Sequence, residues 1–138
     1  MSNWTDCSHA CGVRWIEPGE WDTFIVTGGR ATYPSALNTV VRYSRTGEAQ
    51  DLPALSVRRS GHACSTFLNR RGHYVLLVTG GENVVGYLDS TELLDGLSSS
   101  SWRHVAKLPS ARGDLRAATL DNKLFIFGKL QSLNFLIN

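Results

Sequence analysis

Histidines and cysteines near the start of the chain are the residues whose types could do chemistry. Cys7, His9 and Cys11 alternate along the sequence, and His62 and Cys64 repeat the spacing of the last two. The paired Cys-x-x-Cys spacing of many zinc sites is missing from this pattern. We therefore expect no metal and no other cofactor. Cys11 and Cys64 are interpreted as inert, buried packing residues, although three cysteines also allow one disulfide.

Two glycine pairs, Gly28-Gly29 and Gly80-Gly81, invite comparison with phosphate-binding loops. Such a loop depends on a helix N-terminus, and neither pair begins a predicted helix. The serines at 98–101 lie in a polar loop and lack the Gly-x-Ser-x-Gly pattern of an activated nucleophile. We therefore predict that the glycines end buried strands for steric reasons, that no residue is catalytic, and that the chain is not an enzyme.

The composition is that of a folded domain with little electrostatic bias. Of the 138 residues 42% are hydrophobic and 19% are charged, and 14 Lys and Arg oppose 12 Asp and Glu. A net charge of +2 predicts neither a nucleic-acid nor a membrane partner. The first residues lack the basic segment and apolar run of a secretory signal. This slightly favours the cytoplasm, and an extracellular location would require a native chain that extends further at its N-terminus.

Internal repetition organises the chain into units of about 50 residues. The run 24–29 returns at 76–81, with Gly80 following Gly28 by 52 residues, and a weaker copy ends at Gly128, 48 residues later. His9-Ala10-Cys11 returns as His62-Ala63-Cys64. We therefore divide the chain into repeat 1 (8–57), repeat 2 (58–110), a partial repeat 3 (111–128) and a non-repeat tail (129–138).

Each repeat is predicted to form short strands separated by turns. Its segments are rich in β-branched and aromatic residues, are bounded by Gly, Pro, Asn and Ser, and show no useful helical period. The apolar runs 24–26 and 75–78 lack in/out alternation, which is typical of strands covered on both faces. The predicted strands are 8–14, 23–27, 39–43 and 49–52 in repeat 1; 61–68, 74–79, 91–94 and 102–107 in repeat 2; and 115–120 and 123–127 in repeat 3, joined by a turn at Asp121-Asn122.

These features together resemble the kelch repeat. The resemblance rests on an apolar strand that ends in Gly-Gly and on a following strand that contains an aromatic or aliphatic residue, Tyr43 or Leu94. A tryptophan, Trp102, and a Leu-Pro turn, Leu108-Pro109, come after these strands. Arg59 and His62 then stand where the family begins its next unit. The likeness covers 8–128 and implies an all-β fold of consecutive four-stranded antiparallel blades of an incomplete β-propeller.

The chain also departs from the family pattern. Repeat 1 has no tryptophan equivalent to Trp102, Leu115 replaces His62 in repeat 3, and Lys129 replaces the second glycine after Gly128. A propeller needs roughly 4 to 8 blades, so about two and a half repeats do not close a ring. We expect a fragment of a longer propeller, or a ring completed by other copies.

The resemblance implies a protein-binding or scaffolding module that presents its inter-strand loops to a protein partner. Arginine and tyrosine anchor many protein interfaces, so the candidate contacts are Arg30, Tyr33, Arg58 and Tyr87. Gly28, Gly29, Gly80, Gly81, Gly128, Trp102 and His62 are interpreted as structural repeat positions.

Two alternatives to this function remain open. Galactose-oxidase-like enzymes share the blade type and hold copper in loops, although no matching ligand set occurs in this sequence. A truncated product without an independent function is the other.

Overall fold

The computed structural model describes residues 9–16, 22–128 and 133–135, the last three by their backbone alone. Strands and turns make up these ranges, and no α-helix occurs in them. Accordingly, the described residues contain no helix that is long and apolar enough to cross a membrane.

The strands form three antiparallel sheets and a small ribbon. Sheet 1 comprises β1 (Cys11–Trp15), β2 (Thr23–Thr27), β3 (Val40–Tyr43) and β4 (Ala49–Asp51), paired in that order. The chain continues through β5 (Ala63–Leu68), β6 (Tyr74–Thr79), a ribbon of β7 (Glu82–Asn83) and β8 (Gly86–Tyr87), β9 (Thr91–Leu94) and β10 (Arg103–His104). Sheet 2 pairs β5, β6, β9 and β10. Sheet 3 pairs β11 (Arg116–Leu120), β12 (Lys123–Phe127) and β13 (Leu133–Phe135).

Every strand expected from the sequence has a counterpart in these sheets. The largest difference is β10, which comprises only Arg103–His104 where 102–107 was predicted. The turn at Asp121-Asn122 is confirmed, since both residues have the positive φ that a tight hairpin requires. Ser8, the first residue of a predicted strand, lies outside the described residues.

Two elements were not predicted. The ribbon β7–β8 consists of two-residue strands, which are too short for an alternation pattern. The expectation that the third repeat stops after two strands is wrong, because β13 pairs with β12 at Leu124, Phe125 and Ile126. Its residues Leu133–Phe135 repeat no signature of the earlier units, so only strand pairing reveals them.

The sheets stack through their first strands and enclose two cores. β5 contacts both β1 and β11, which places sheet 2 between the other two. All residues of Val75–Val78 are fully buried, because sheet 2 is covered on both faces. The core between sheets 1 and 2 contains Trp15, Ile25, Val40, Leu55, Cys64, Leu76, Val78, Leu94 and Trp102. The core between sheets 2 and 3 contains Ala63, Phe67, Val75, Leu77, Leu93, Leu108, Leu115, Leu124 and Ile126.

Among the described residues, other elements cover just one of the two faces of sheet 1. The run 24–26 was expected to be buried on both sides, yet Ile25 is fully buried while Phe24 is 47% exposed. β2 therefore alternates in burial. The sequence run of 24–26 resembles that of 75–78, but burial depends on the neighbouring sheet, and none of the described elements covers the Phe24 side.

Candidate functional site

The connections between strands reach two opposite ends of the stacked sheets. Since the pairing is antiparallel, the connections β2–β3 and β6–β9 emerge at the same end as the segments that join one sheet to the next. We call this end the loop face. The turns after β1, β3, β5 and β9 lie at the opposite end.

A repeated set of backbone hydrogen bonds holds the loop face together. Gly29 N donates to Arg59 O at 2.9 Å, and Gly81 N donates to Arg112 O at 2.8 Å. Likewise, Arg59 N donates to Leu37 O and Arg112 N to Leu88 O, both at 3.0 Å. The same bonds thus recur from one unit to the next, and they fix the strand connections against the inter-sheet segments.

The glycine pairs allow this close approach of backbones. Gly28 and Gly80 have φ of 56° and 63°. A Cβ at Gly28 would overlap the carbonyl oxygen of Arg59, and one at Gly80 would approach the carbonyl oxygen of Arg112 to 2.8 Å. The pairs therefore have a steric role, as chain reversal without a side chain requires. Gly128 is partly buried, and its Cβ would overlap Leu115.

Arg30 connects the two main loops of the loop face. Its Nη1 lies 3.3 Å from Glu82 Oε1 on the next sheet's loop, and its guanidinium carbon lies 5.1 Å from the centre of the Tyr33 ring. Tyr33 is nevertheless 77% exposed. The ring is therefore oriented by a cation–π contact while most of its surface faces solvent.

The second loop adds apolar surface beside these charges. Val84 and Val85 form the tip of the ribbon and are largely exposed, Val85 at 89%. Asn83 orders the tip, because its Oδ1 accepts from Val85 N and its Nδ2 donates to Arg58 O, both at 2.9 Å. Tyr87 is 62% exposed and lies near Gly113, where an added Cβ would come within 3.0 Å of the ring.

All four contact candidates predicted from the sequence lie on the loop face. Contacts join Arg30 to Tyr33, while Arg58 is linked to the ribbon only through its backbone carbonyl, and its side chain is exposed. No described contact joins Tyr87 to the other three. Glu82, Val84 and Val85 lie in the same loop as the candidate Tyr87 but were not among the predicted contacts, although two adjacent valines in a turn were an available signal.

Arg59 and Glu92 form a fully buried ion pair behind the loop face. Arg59 Nη2 lies 2.8 Å from Glu92 Oε2, and Arg59 Nη1 donates to the carbonyl oxygens of Gly80 at 2.7 Å and Ser90 at 3.1 Å. Glu92 also accepts from the backbone nitrogens of Ser56 and Val57. Burial lowers the pKa of Arg59, and the adjacent carboxylate of Glu92 opposes that effect.

His62 and Trp102 are buried structural residues. His62 Nε2 hydrogen-bonds with Thr27 Oγ1 at 2.8 Å, which ties sheet 2 to sheet 1. Burial lowers the pKa of His62 to about 3, the charge of Arg59 acts in the same direction, and the contact with Thr27 opposes both. Trp102 Nε1 donates to Pro53 O at 2.7 Å across the same pair of sheets.

The interpretation of Cys11 and Cys64 as separate packing residues is wrong. A disulfide joins them, and so links the first strands of sheets 1 and 2 across 53 residues of sequence. The two cysteines are not equivalent in strand register, because Cys11 lies opposite Thr27 whereas Ala63, and not Cys64, lies opposite the corresponding Thr79. Cys11 and Cys64 therefore face each other across the core between sheets 1 and 2. Spacing alone did not reveal this, because it gives no distance between units.

The described residues contain no group of three or more His, Cys, Asp or Glu side chains that could hold a metal ion. No family model matches the chain, and no curated protein sequence is significantly similar to it.

Proposed function

We propose that this chain is a run of kelch-type β-propeller blades whose loop face binds a protein partner. The observation that carries the proposal is the grouping of exposed apolar and aromatic side chains with charged ones on that single face. Tyr33, Val84, Val85 and Tyr87 are all largely exposed there. Exposed apolar groups that lie together among polar residues are typical of interaction sites.

The blade assignment is supported by equivalent sheets that follow one another at the repeat spacing. Each of the first two has four antiparallel strands, with the glycine pair directly after the second strand. Trp102 and Leu108, which carry the resemblance, are both buried at inter-sheet contacts. A stack of such units presents one set of loops on each end, so a partner can contact several loops together.

The loop face is also ordered before any partner binds. The cation–π contact of Arg30 with Tyr33 and the hydrogen bonds of Asn83 fix the loops that bear the exposed groups. Ordering these loops in advance lowers the entropy lost on binding. Tyrosine is favoured in such a position because a large rigid ring contributes contact area with few rotatable bonds.

Site-specific photo-crosslinking in cells tests the proposal. A benzophenone amino acid replaces Tyr33 or Tyr87 in one pair of variants and Leu120 in a control. Leu120 is 64% exposed, close to the 62% of Tyr87, but it lies at the opposite end of the sheets. We expect the same partner protein to be crosslinked from Tyr33 and Tyr87 and not from Leu120. With that partner purified, Tyr87→Ala should weaken binding about tenfold or more. Absence of a partner at both tyrosines, or equal capture at Leu120, would contradict the proposal.

We further propose that the outer faces of sheets 1 and 3 bind additional blades of the same type. Phe24 and Val26 occupy the repeat positions of Leu76 and Val78, which are fully buried against sheet 1. The equivalence supports a preceding blade as the cover for Phe24. By the same argument Phe127, which is 47% exposed and equivalent to the fully buried Thr79, faces a following blade.

A further inference from the structure

A cavity lies at the end of the sheets opposite the loop face. Its volume is about 490 Å³, within the range of small-molecule sites. The cavity is lined by side chains of sheet 2 and of the turn between β5 and β6; these are Phe67, Asn69, Arg70, Arg71, His73, Val75, Leu93, Asp95 and Arg103. We call it the basic cavity.

The interface between sheets 2 and 3 has smaller side chains at two positions that are large aromatic residues in the neighbouring interface. Between sheets 1 and 2, Trp15 and Tyr74 contact each other with ring centres 5.9 Å apart. One repeat later the equivalent positions hold Phe67 and Asn122. Asn122 turns back onto the backbone of Leu68, with Oδ1 accepting from Leu68 N at 3.2 Å and Nδ2 donating to Leu68 O at 3.0 Å. Asn122 is smaller than Tyr74 and is held against the backbone of Leu68.

Positive charge surrounds an apolar floor. Phe67, Val75 and Leu93 are buried and form the floor. Three arginines oppose a single carboxylate, that of Asp95, and this carboxylate is already paired with Arg103 Nε at 2.8 Å. The chain as a whole carries only +2, so this end of sheet 2 concentrates its cations.

The turn that carries Arg70 and Arg71 is held in shape by Asn69. Asn69 Oδ1 accepts from Arg71 N at 2.9 Å and from His73 N at 3.0 Å. Asn69 N also donates to His73 O at 2.8 Å. The backbone below the two arginines is thereby fixed, while both side chains remain exposed at the mouth of the cavity.

From this arrangement we propose that the basic cavity binds a small organic anion with an apolar body. The apolar part would lie on Phe67, Val75 and Leu93, and the carboxylate or phosphate would contact Arg70 and Arg71 at the mouth. Guanidinium groups suit both anions because they donate in pairs to planar or tetrahedral oxygen groups. The site is separate from the loop face, so it does not depend on the protein-binding proposal.

The proposal is tested by titrating the full chain with phenyl phosphate and with benzoate while its amide chemical shifts are measured. Benzyl alcohol is the uncharged control. We expect at least one anion to shift amides of 67–73 and 93–103 and to bind at least about tenfold more tightly than the alcohol. Phenyl phosphate and benzoate together show whether phosphate or carboxylate is preferred.

Three further variants separate a built site from general attraction of anions. Arg70→Gln with Arg71→Gln should weaken binding about tenfold or more, whereas Arg45→Gln, an exposed arginine in a sheet 1 turn at the same end, should change it less than about twofold. Phe67→Trp or Asn122→Tyr should abolish binding by filling the cavity without a change of charge. The inference is overturned if the alcohol binds equally well, if Arg45→Gln has the same effect as the double variant, or if a folded cavity-filling variant binds like the wild type.

Discussion

The buried imidazole of His62 makes the stability of the fold depend on pH. In the folded chain its pKa is lowered to about 3, since the ring is buried and Arg59 carries a positive charge nearby. The unfolded chain instead takes up the proton near the ordinary value of about 6.5. The neutral, buried ring of His62 therefore contributes its full share of the folding stability above about pH 6.5, and this contribution is lost as the pH falls from there towards the pKa of the folded state.

We predict that lowering the pH from about 7.5 to about 5 reduces the free energy of unfolding by about 2 kcal/mol through protonation of this residue alone. Urea unfolding at the two pH values measures the change. His62→Gln should remove most of this pH dependence, whereas His104→Gln, an exposed histidine on β10, should leave it intact. An unchanged pH dependence in His62→Gln would show that other groups cause it.

At the scale of the elements, one ion pair connects a strand to the segment between two sheets. Glu92 lies on β9, and Arg59 lies in the connection that leads from sheet 1 to sheet 2; both side chains are completely buried. In place of water, each of the two charged side chains contacts the other, and together they contact four backbone groups. Removal of one partner therefore leaves the other as an uncompensated buried charge.

We predict that Glu92→Gln lowers the free energy of unfolding by about 3 to 5 kcal/mol. The matched control is Asp95→Asn in the pair with Arg103, where both side chains are about half exposed and the loss should stay below about 1 kcal/mol. Chemical denaturation of both variants at neutral pH gives the comparison. Similar losses in the two variants would mean that the buried pair has no special role in joining the sheets.

At the scale of the whole molecule, the stack has an apolar face at each side. Phe24 on sheet 1 and Phe127 on sheet 3 are both 47% exposed, while the sheet between them is covered on both faces. Repeat structures are stable when such faces are covered by a further unit. None of the described residues covers these two side chains fully, so in the purified chain we expect a second copy to cover them.

We therefore predict that the isolated chain self-associates and that Phe24→Lys with Phe127→Lys shifts it towards the single-chain mass of 15.2 kDa. Sedimentation or light scattering over a range of concentrations measures the mass. Leu120→Lys removes an apolar group of comparable exposure from a strand end and should not have this effect. If the wild type stays a single chain at all concentrations, the proposed inter-blade role of the two faces fails.

Local patterns predicted the strands well and the contacts between units poorly. The strands around Thr23–Thr27 and Tyr74–Thr79 were recognised because β-branched runs ending in glycine pairs are short-range signals. The Arg59–Glu92 pair was not recognised, because 33 residues separate two charges whose pairing depends on how a connection folds over a strand. The contact of Arg30 with Glu82 was missed for the same reason.

The sequence by itself determined the all-β character of the chain, its repeat spacing and the places where glycine must reverse the backbone. These properties depend on residue types within a few positions of each other. Tertiary structure decided that Cys11 pairs with Cys64, that Phe24 is exposed while Leu76 is buried, and that Phe67 and three arginines line one cavity. Each of these depends on the distance between neighbouring sheets, which follows only from how the units pack.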